Sequence, residues 1–546
     1  MKKFEELTIN FNTNLFDQFL NFVKNKILII LIILSAVVSI ELFSIHFYSG
    51  LGLSYNDARS HLDIGRRVVE GLKPGLAQLG SVWLPLPHIL MVPTVWNDFF
   101  WHSGLSGALI SMISYVATSV LIYLILGLLN VGLLGRIIAV LIFGINLNVL
   151  YLQSTAMTEL LLILTMTASS YYLMLWSKTG KIIDIVKSAF WVMLSSLTRY
   201  DGWFLFLLSF ISIGLVTSSN LKANLKERFQ KVEGMMLLFA TLGGFGIILW
   251  FLWNQLIFKD WLFFVFGPYS ARAQQTQLEQ AGNLITKSNW IASTQTYLYA
   301  LFYCVGAFTV ILSLLGYIML MLDKNILQRI KITSLTLTAP LFFNILALYL
   351  GHSVLFIQGI NGDTWFNVRY GITLIPAVAV SIGYLADKLT RLRGVIIGLL
   401  IFVTIFSITS YDAVTIDDAR VGSSQKNVRE VSGWLAQNAK DKEGFVLISA
   451  ASHDAIIFSS GLPMSKFIHE GTGKYWESAT TNADRWARWI IMRTYDDNDS
   501  VYKSVSRTPD FAHYDLVERY PFADIYQIKD EFISQLNTKP ILGKQK

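Results

Sequence analysis

Long apolar runs alternate with short polar segments over the first three quarters of the chain. A helix that crosses a membrane needs about 20 apolar residues, and about eleven runs suit that length, although the fifth is short and ends in polar residues. They lie near residues 27–49, 104–130, 136–154, 158–177, 187–200, 202–218, 234–258, 293–322, 332–356, 370–387 and 394–411. The pattern predicts an all-α polytopic membrane domain over residues 27–411.

The two flanking regions have other patterns. Residues 1–26 carry Phe and Leu at helical spacing, which predicts an amphipathic lead on the cytoplasmic membrane surface. Residues 412–546 are charged and alternate strand-like with helical segments, which predicts a soluble α/β domain. Its predicted helices lie at 425–438, 475–488 and 498–507, and its strands at 445–450, 465–469, WIIMR and 514–528.

Composition agrees with a membrane protein and excludes a soluble globule. The chain is 53% hydrophobic with a mean hydropathy of +0.49. Its net charge of +7 therefore does not indicate nucleic acid binding, because the position of each Lys and Arg matters more than their sum. Cys304 is the single cysteine, so no intrachain disulfide can form. We interpret the first apolar run as a retained span, since no cleavage site follows it.

Basic residues in alternate loops predict the orientation. With a cytoplasmic N-terminus, the cytoplasmic loops hold Arg136, Lys178, Lys181, Lys187, Lys222, Lys226, Arg228, Lys231, Lys324, Arg329, Lys331, Lys388, Arg391 and Arg393. The first outer loop, residues 50–103, then faces outward, and an odd number of spans places residues 412–546 outside as well. The loops with polar chemistry share this outer face.

The densest polar cluster lies in the first outer loop, between Ser54 and His88. Ser54 and Asp57 have the spacing of a helix start, and an apolar stripe follows, so the pattern predicts a helix on the membrane surface with Asp57 and His61 on one face. Alternatively, Asp57 only caps the helix, and the charged residues after it form a solvated ladder of ion pairs, Arg59–Asp63, Asp63–Arg67 and Arg66–Glu70. The segment then continues as WLPLPH, in which His88 fits a structural role.

These features resemble the GT-C superfamily of membrane glycosyltransferases, and within it the protein O-mannosyltransferase and aminoarabinose transferase branch. Further motifs match in order: STAMTE at 154–159, LTRYDGW at 197–203, FGPYSARAQQ at 266–275 and NVRYGITLIP at 367–376. The resemblance implies transfer of a sugar from a polyprenyl-phosphate carrier with inversion, and it carries the catalytic Asp over to Asp57. The mannosyltransferase pattern has an Asp-Glu pair at this position, whereas this chain has Asp57-Ala58. The identity of the acceptor and of any second carboxylate therefore stays open.

A departing phosphate requires cations at the membrane boundary, and Arg can donate two bonds to it at once. Three arginines lie at the outer ends of spans: Arg199, Arg272 and Arg369. Arg369 is the first candidate, because Arg369-Tyr370, followed by a span that contains Pro376, resembles the phosphate-side motif of the GT-C family. The alternative is that these side chains extend to the lipid headgroups.

Further candidate substrate contacts lie in the same outer loops: His61, Glu159, Asp201, Tyr269, Gln274, His352 and Tyr370. Glu159 could also stabilise a helix N-terminus, pair with an Arg, or ligate a divalent cation with Asp57. Asp201 alternatively forms a local ion pair with Arg199. No metal-ligand spacing is specific, and no cofactor is predicted with certainty. The pairs His453-Asp454 and His469-Glu470 are predicted to be solvated surface.

The sequence thus predicts a hexosyl- or pentosyltransferase, with mannose as one candidate sugar. Its partners would be the lipid bilayer, a polyprenyl-phosphate sugar and an extracytoplasmic protein, lipid or glycan. A secondary transporter or lipid-sugar flippase is a second hypothesis, which requires charges at mid-membrane and matched halves. A catalytically silent assembly subunit with the same fold is a third.

Overall fold

The computed structural model describes residues 13–219, 224–267, 270–410, 412–421 and 425–539. The first helix, Thr13–Tyr48, is continuous, so the backbone of residues 13–26 extends the first span instead of forming a separate element. Residues 1–12 of the predicted lead lie outside the described residues.

Seven helical segments of the described chain are long and apolar enough to cross a membrane, which makes this a multi-pass membrane protein. They are Lys26–Tyr48, Leu105–Leu128, Glu159–Thr179, Asp201–Ser219, Gln328–Tyr349, Val368–Lys388 and Arg393–Val421. Two bent pairs raise the number to nine, Leu225–Gly243 with Phe245–Phe258 and Trp290–Val305 with Ala307–Leu322.

The two remaining predicted spans correspond to shorter helices. Leu133–Gly144 is followed after a break by Leu147–Leu152, and Ile182–Ser196 has 15 residues. The predicted count of eleven spans therefore remains a prediction, although each apolar run is helical. Shorter helices outside these spans are Leu86–Val95, Asp98–His102, Phe263–Phe266 and Ala271–Gln280.

The first-loop helix, Asn56–Val69, differs from its prediction. Its N-cap is Tyr55 and no side chain caps it, so the Ser54 start is wrong. The helix packs against Leu86–Val95 on one side and against Ala450–Ser460 of the C-terminal region on another. Arg59 and Asp63 are each 1% exposed, so the predicted solvated ladder is wrong at these positions. It survives in part at its end, where Arg66 pairs with Glu70.

The C-terminal region forms the predicted α/β domain. Five strands, β1 (Phe445–Ile448), β2 (Phe467–Ile468), β3 (Ala487–Met492), β4 (Tyr514–Arg519) and β5 (Asp524–Ile528), form one sheet in the order β2-β1-β3-β5-β4. β1 is parallel to β2 and β3, and β5 is antiparallel to its neighbours. The helices are Gln425–Asn438, Ala450–Ser460, Lys474–Thr481 and Ser500–Val505.

This domain packs on the first loop through buried polar contacts. Asp454 lies beside Ser60 and Arg67 of the first-loop helix, and burial raises the pKa of its carboxyl. His453 Nε2 lies 2.7 Å from Asp499 Oδ2, and both side chains are inaccessible to solvent. His469 is 3% exposed. The predicted solvated surface at these histidines is therefore wrong, because His453 pairs with Asp499 inside the domain and His469 lies near Arg67 of the first loop.

One apolar core continues from the membrane helices into this domain and includes Leu62 and Ile456. The connecting element is the linker helix, Val414–Val421, which packs against Leu147–Leu152 and against the 3-10 helix Val368–Leu374. The predicted boundary at residue 412 therefore falls just before a helix that belongs to the membrane domain by its contacts.

Candidate active site

Arg369 is the centre of the polar cluster at one end of the helical bundle. It lies on the 3-10 helix Val368–Leu374, which approaches Trp290–Val305 so closely that a Cβ at Gly371 would be 2.3 Å from the Ala300 carbonyl oxygen. One guanidinium nitrogen donates to Asp57 Oδ2 at 2.5 Å, and Nε donates to Glu159 Oε1 at 3.0 Å. The Arg369 side chain is 5% exposed. Only glycine permits this backbone approach, which holds Arg369 inside the bundle.

Glu159 holds a second guanidinium in addition to Arg369. Its Oε1 also accepts from Arg199 at 3.1 Å, and Arg199 Nε lies 3.4 Å from Asp201 Oδ2. The predicted Arg199–Asp201 ion pair is therefore present. Glu159 is fully buried at the first residue of its helix, where the helix dipole also favours a carboxylate. Its other oxygen, Oε2, has no described partner.

A fourth carboxylate, Asp418, was missed by the sequence analysis. It lies on the linker helix with its Oδ2 3.8 Å from Arg369, and it accepts a hydrogen bond from Tyr55 Oη at 2.9 Å. Arg369 also lies over the Tyr55 ring, 4.7 Å from its centroid. The only available signal was the acidic pair in TIDDAR directly after the last apolar run. Four carboxylates therefore surround two guanidiniums.

Part of this cluster, Asp57, Arg199, Asp201 and Arg369, lines a cavity of about 420 Å³. The cavity lining also includes apolar side chains, those of Phe264, Val265, Phe343, Leu346, Ala347 and Leu350. Eight of the predicted site residues line the cavity: Asp57, His61, Arg199, Asp201, Arg272, His352, Arg369 and Tyr370. The fold thus assembles in one place residues that are hundreds of positions apart in sequence.

The three remaining predicted residues have other positions. Glu159 lies behind the cavity wall, where it holds Arg199 and Arg369. Tyr269 lies outside the described residues, and only the backbone of Gln274 is described, in the helix Ala271–Gln280.

Arg272 differs from the other two arginines. Its side chain is exposed, and its guanidinium lies 5.0 Å from the centroid of the Phe266 ring. The salt bridges formed by the described residues include Arg199 and Arg369 but not Arg272. Burial, and then the neighbouring Arg272, lower the pKa of His352. Arg272 therefore adds a positive charge that is not neutralised by a described carboxylate.

The metal hypothesis finds no support in the described part of the chain. No group of three or more His, Cys, Asp or Glu side chains there could hold a metal ion. Asp57 and Glu159 are bridged by the Arg369 guanidinium, which takes the position between them that a cation would need.

His61 and Trp83 line the cavity on the side of the first loop. Their ring centroids are 4.5 Å apart, and His61 Nδ1 lies 2.8 Å from His88 Nε2. Burial lowers the pKa of His61 to about 3, and the positive charges of Arg199 and Arg369 act in the same direction. His61 is therefore neutral at physiological pH.

Comparison with known proteins identifies the fold. No family model matches the sequence, and no curated protein matches it. The solved structure of ArnT from Cupriavidus metallidurans bound to undecaprenyl phosphate matches with a TM-score of 0.54 at 10% identity, over 91% of this chain and 98% of that chain. The chain has the GT-C fold.

Two further structures are similar to this chain. ArnT from the same organism in the apo state matches with a TM-score of 0.53 at 10% identity, over 91% of this chain and 98% of that chain. The oligosaccharyltransferase of Archaeoglobus fulgidus tethered to an acceptor peptide has a TM-score of 0.49 at 11% identity, over 87% of this chain and 70% of that chain. The ArnT matches span the helical bundle and reach into the C-terminal domain, so the predicted GT-C fold class is confirmed.

Proposed function

We propose that the protein is a membrane glycosyltransferase that moves a sugar from a polyprenyl-phosphate donor to an extracytoplasmic acceptor hydroxyl, with inversion at the anomeric carbon. The observation that carries the proposal is the mixed lining of the cavity. It combines two carboxylates and three guanidiniums with a set of apolar side chains. Such a site suits a molecule with a charged phosphate and a hydrocarbon tail. The ArnT structure with the same fold contains undecaprenyl phosphate, which supports this donor class.

In the proposed reaction Asp57 is the general base. The acceptor hydroxyl gives its proton to Asp57 while its oxygen attacks the anomeric carbon of the sugar. The bond from that carbon to the phosphate oxygen breaks, and the electron pair leaves with polyprenyl phosphate. Because Asp57 Oδ2 accepts from Arg369, we assign proton transfer to the other carboxylate oxygen. Arg369 then fixes the orientation of the base.

The same geometry divides the phosphate role among the three arginines. Arg369 donates to Asp57 and Glu159, and Arg199 donates to Glu159 and Thr158. Arg272 is exposed at the cavity and has no described carboxylate in a salt bridge with it. We therefore assign the first phosphate contact to Arg272. Arg199 and Arg369 stabilise the negative charge that develops as the phosphate leaves.

The transporter hypothesis receives less support. The span pair Trp290–Val305 and Ala307–Leu322 is bent by 105°, as in a broken transporter helix. However, the Cys304 carbonyl at this break accepts hydrogen bonds from Asn146 and Asn148. This carbonyl is thus satisfied within the protein, and the break is not part of the cavity lining.

A transfer assay tests the proposal. The purified protein in nanodiscs is incubated with a panel of polyprenyl-phosphate sugars and hydroxyl acceptors, and product and donor affinity are measured separately. Asp57→Asn should lower the transfer rate at least 100-fold, since a general base contributes about 10²- to 10⁴-fold. Donor binding should survive, because the asparagine oxygen can still accept from Arg369.

Asp98→Asn is the matched control. Asp98 belongs to the same loop but its side chain is 77% exposed and pairs with Arg66, so transfer should be unchanged. Transfer that stays within a few fold in Asp57→Asn would remove Asp57 from the mechanism. A donor that crosses a vesicle membrane without reacting would support the flippase.

A further inference from the structure

The cavity lining contains a histidine, His61, that the reaction above does not use, and a second histidine, His88, contacts it. His61 presents its ring to the cavity, and its Nδ1 is engaged by His88 Nε2 at 2.8 Å. His88 is fully buried on the helix Leu86–Val95. Nε2 is therefore the ring nitrogen of His61 that remains for a ligand.

The surroundings of His88 favour one placement of its proton. Nε2 of the His88 ring faces His61, and the buried Nδ1 forms no hydrogen bond with a described residue. The Leu84 backbone carbonyl acts on this ring and would repel a bare lone pair, so we assign the His88 proton to Nδ1. With that proton placed, His88 Nε2 accepts from His61 Nδ1–H. His61 Nε2 is then an unprotonated acceptor directed to the cavity.

We propose that His61 and Trp83 form the subsite for the transferred sugar, in which His61 Nε2 accepts a hydrogen bond from one sugar hydroxyl and His88 is the positioning residue that fixes this acceptor. The proposal rests on the proposed function and names the part of the site that would select the sugar. The attacking hydroxyl of the acceptor gives its single proton to Asp57, so it is not the hydroxyl that His61 binds.

The charge of the site explains why an imidazole suits this position. Four carboxylates already surround Arg199 and Arg369. Another carboxylate would repel the donor phosphate, whereas a neutral imidazole accepts a hydrogen bond without adding charge. The indole of Trp83 beside it supplies an apolar face of the kind that packs on a sugar ring. The subsite therefore favours a neutral hydroxyl over an anionic substituent.

Monodeoxy donors test the contact. We compare kcat/KM for the donor found in the panel with kcat/KM for its analogues that each lack one hydroxyl. The wild type should discriminate against one analogue by about 3- to 10-fold. In His61→Phe, which keeps an aromatic ring beside Trp83, this ratio should fall to within 2-fold of unity while the ratios for the other analogues stay the same. His102→Phe, in the same loop but outside the cavity, should leave all ratios unchanged.

The His88 role is tested by a pair of variants. His88→Gln, whose amide oxygen can accept from His61 Nδ1–H, should retain the discrimination, and His88→Leu should lose it. A merely structural His88 would lower the rate for every donor equally and leave the ratios unchanged. Unchanged ratios in His61→Phe or in His88→Leu would overturn the inference while leaving the transferase intact.

A spectroscopic readout keeps the inference testable if no donor in the panel reacts, in which case the proposed function has failed. The chain has eight histidines, so ¹⁵N-histidine spectra in nanodiscs can be assigned by the signals that His61→Phe removes. An unprotonated Nε2 and a protonated Nδ1 on His61 at pH 7 and at pH 5 are expected. A protonated Nε2 at neutral pH would overturn the subsite.

Discussion

Glu159→Gln isolates the buried carboxylate that holds the two central arginines. Glu159 Oε1 accepts from Arg369 at 3.0 Å and from Arg199 at 3.1 Å, and the carboxylate is fully buried. Glutamine keeps one oxygen acceptor but removes the charge, and charge-assisted hydrogen bonds are about twice as strong as neutral ones. Its amide NH₂ would take the place of Oε2, which has no described partner.

The loss of the Glu159 charge destabilises the folded state. A buried ion pair that loses one partner costs about 3–5 kcal/mol, because the remaining charge stays buried without compensation. Arg199 retains Asp201 and Arg369 retains Asp57 and Asp418, so we place the cost near about 3 kcal/mol. For a chain of this size such a loss lowers the apparent Tm by about 3 °C. The measurement is intrinsic tryptophan fluorescence of the protein in nanodiscs, heated at one fixed scan rate.

Asp57→Asn serves as the comparison. The Asp57 side chain is 39% exposed, so solvent screens its pair with Arg369 and its contribution to stability is about 0–1 kcal/mol. We expect its Tm to stay within about 1 °C of the wild type, although the proposed reaction stops. A Tm for Glu159→Gln that equals that of the wild type, or a larger loss in Asp57→Asn, would refute the assignment of Glu159 as the buried organiser of the site.

Three further predictions concern other positions. Arg272→Gln should weaken donor binding at least 10-fold, since a charge-assisted bond contributes about 1.5–3 kcal/mol, whereas Lys259→Gln in the same loop should not; equal affinities by titration would exclude the phosphate contact. Asp418→Asn keeps the Tyr55 bond but removes a charge 3.8 Å from Arg369, so kcat should fall with little change in donor KM. Burial lowers the pKa of His469 from 6.5 to about 3, so the unfolded state binds more protons in that interval. The contribution of His469 to stability should therefore fall as the pH drops through it, by about 1.4 kcal/mol per pH unit, and His469→Gln should make the acid limb less steep by that amount in pH-dependent melting.

The identity of the elements follows closely from local pattern. Lipid offers no hydrogen bonds, so an apolar run of span length must satisfy its backbone as helix, and each predicted run is helical. The strand at 445–450 is equally clear, because an apolar β-branched run between polar segments favours a buried strand, and β1 is Phe445–Ile448. The helical break at Gly306 left no trace in the apolar pattern, since hydropathy does not register the path of the backbone.

Burial of polar residues was less predictable. His453 and His469 follow no apolar period and look like solvated surface in the sequence. His453 is buried against Asp499 and Phe522 of its own domain, and His469 is buried near Arg67 of the first loop. Local pattern describes one element at a time, whereas the burial of a polar side chain depends on what packs against that element.

Sequence alone determined that this is a membrane protein, which segments cross or fold, and that Asp57, Arg199, Arg272 and Arg369 are its candidate chemical groups. Only the tertiary structure decided their partners. Asp57 and Arg369 are 312 positions apart and Glu159 and Arg369 are 210 apart, and Asp418 entered the site through a linker helix that no motif marked. Hydropathy and helical period act over one or two turns of chain, whereas a shared buried charge cluster depends on how distant helices pack together.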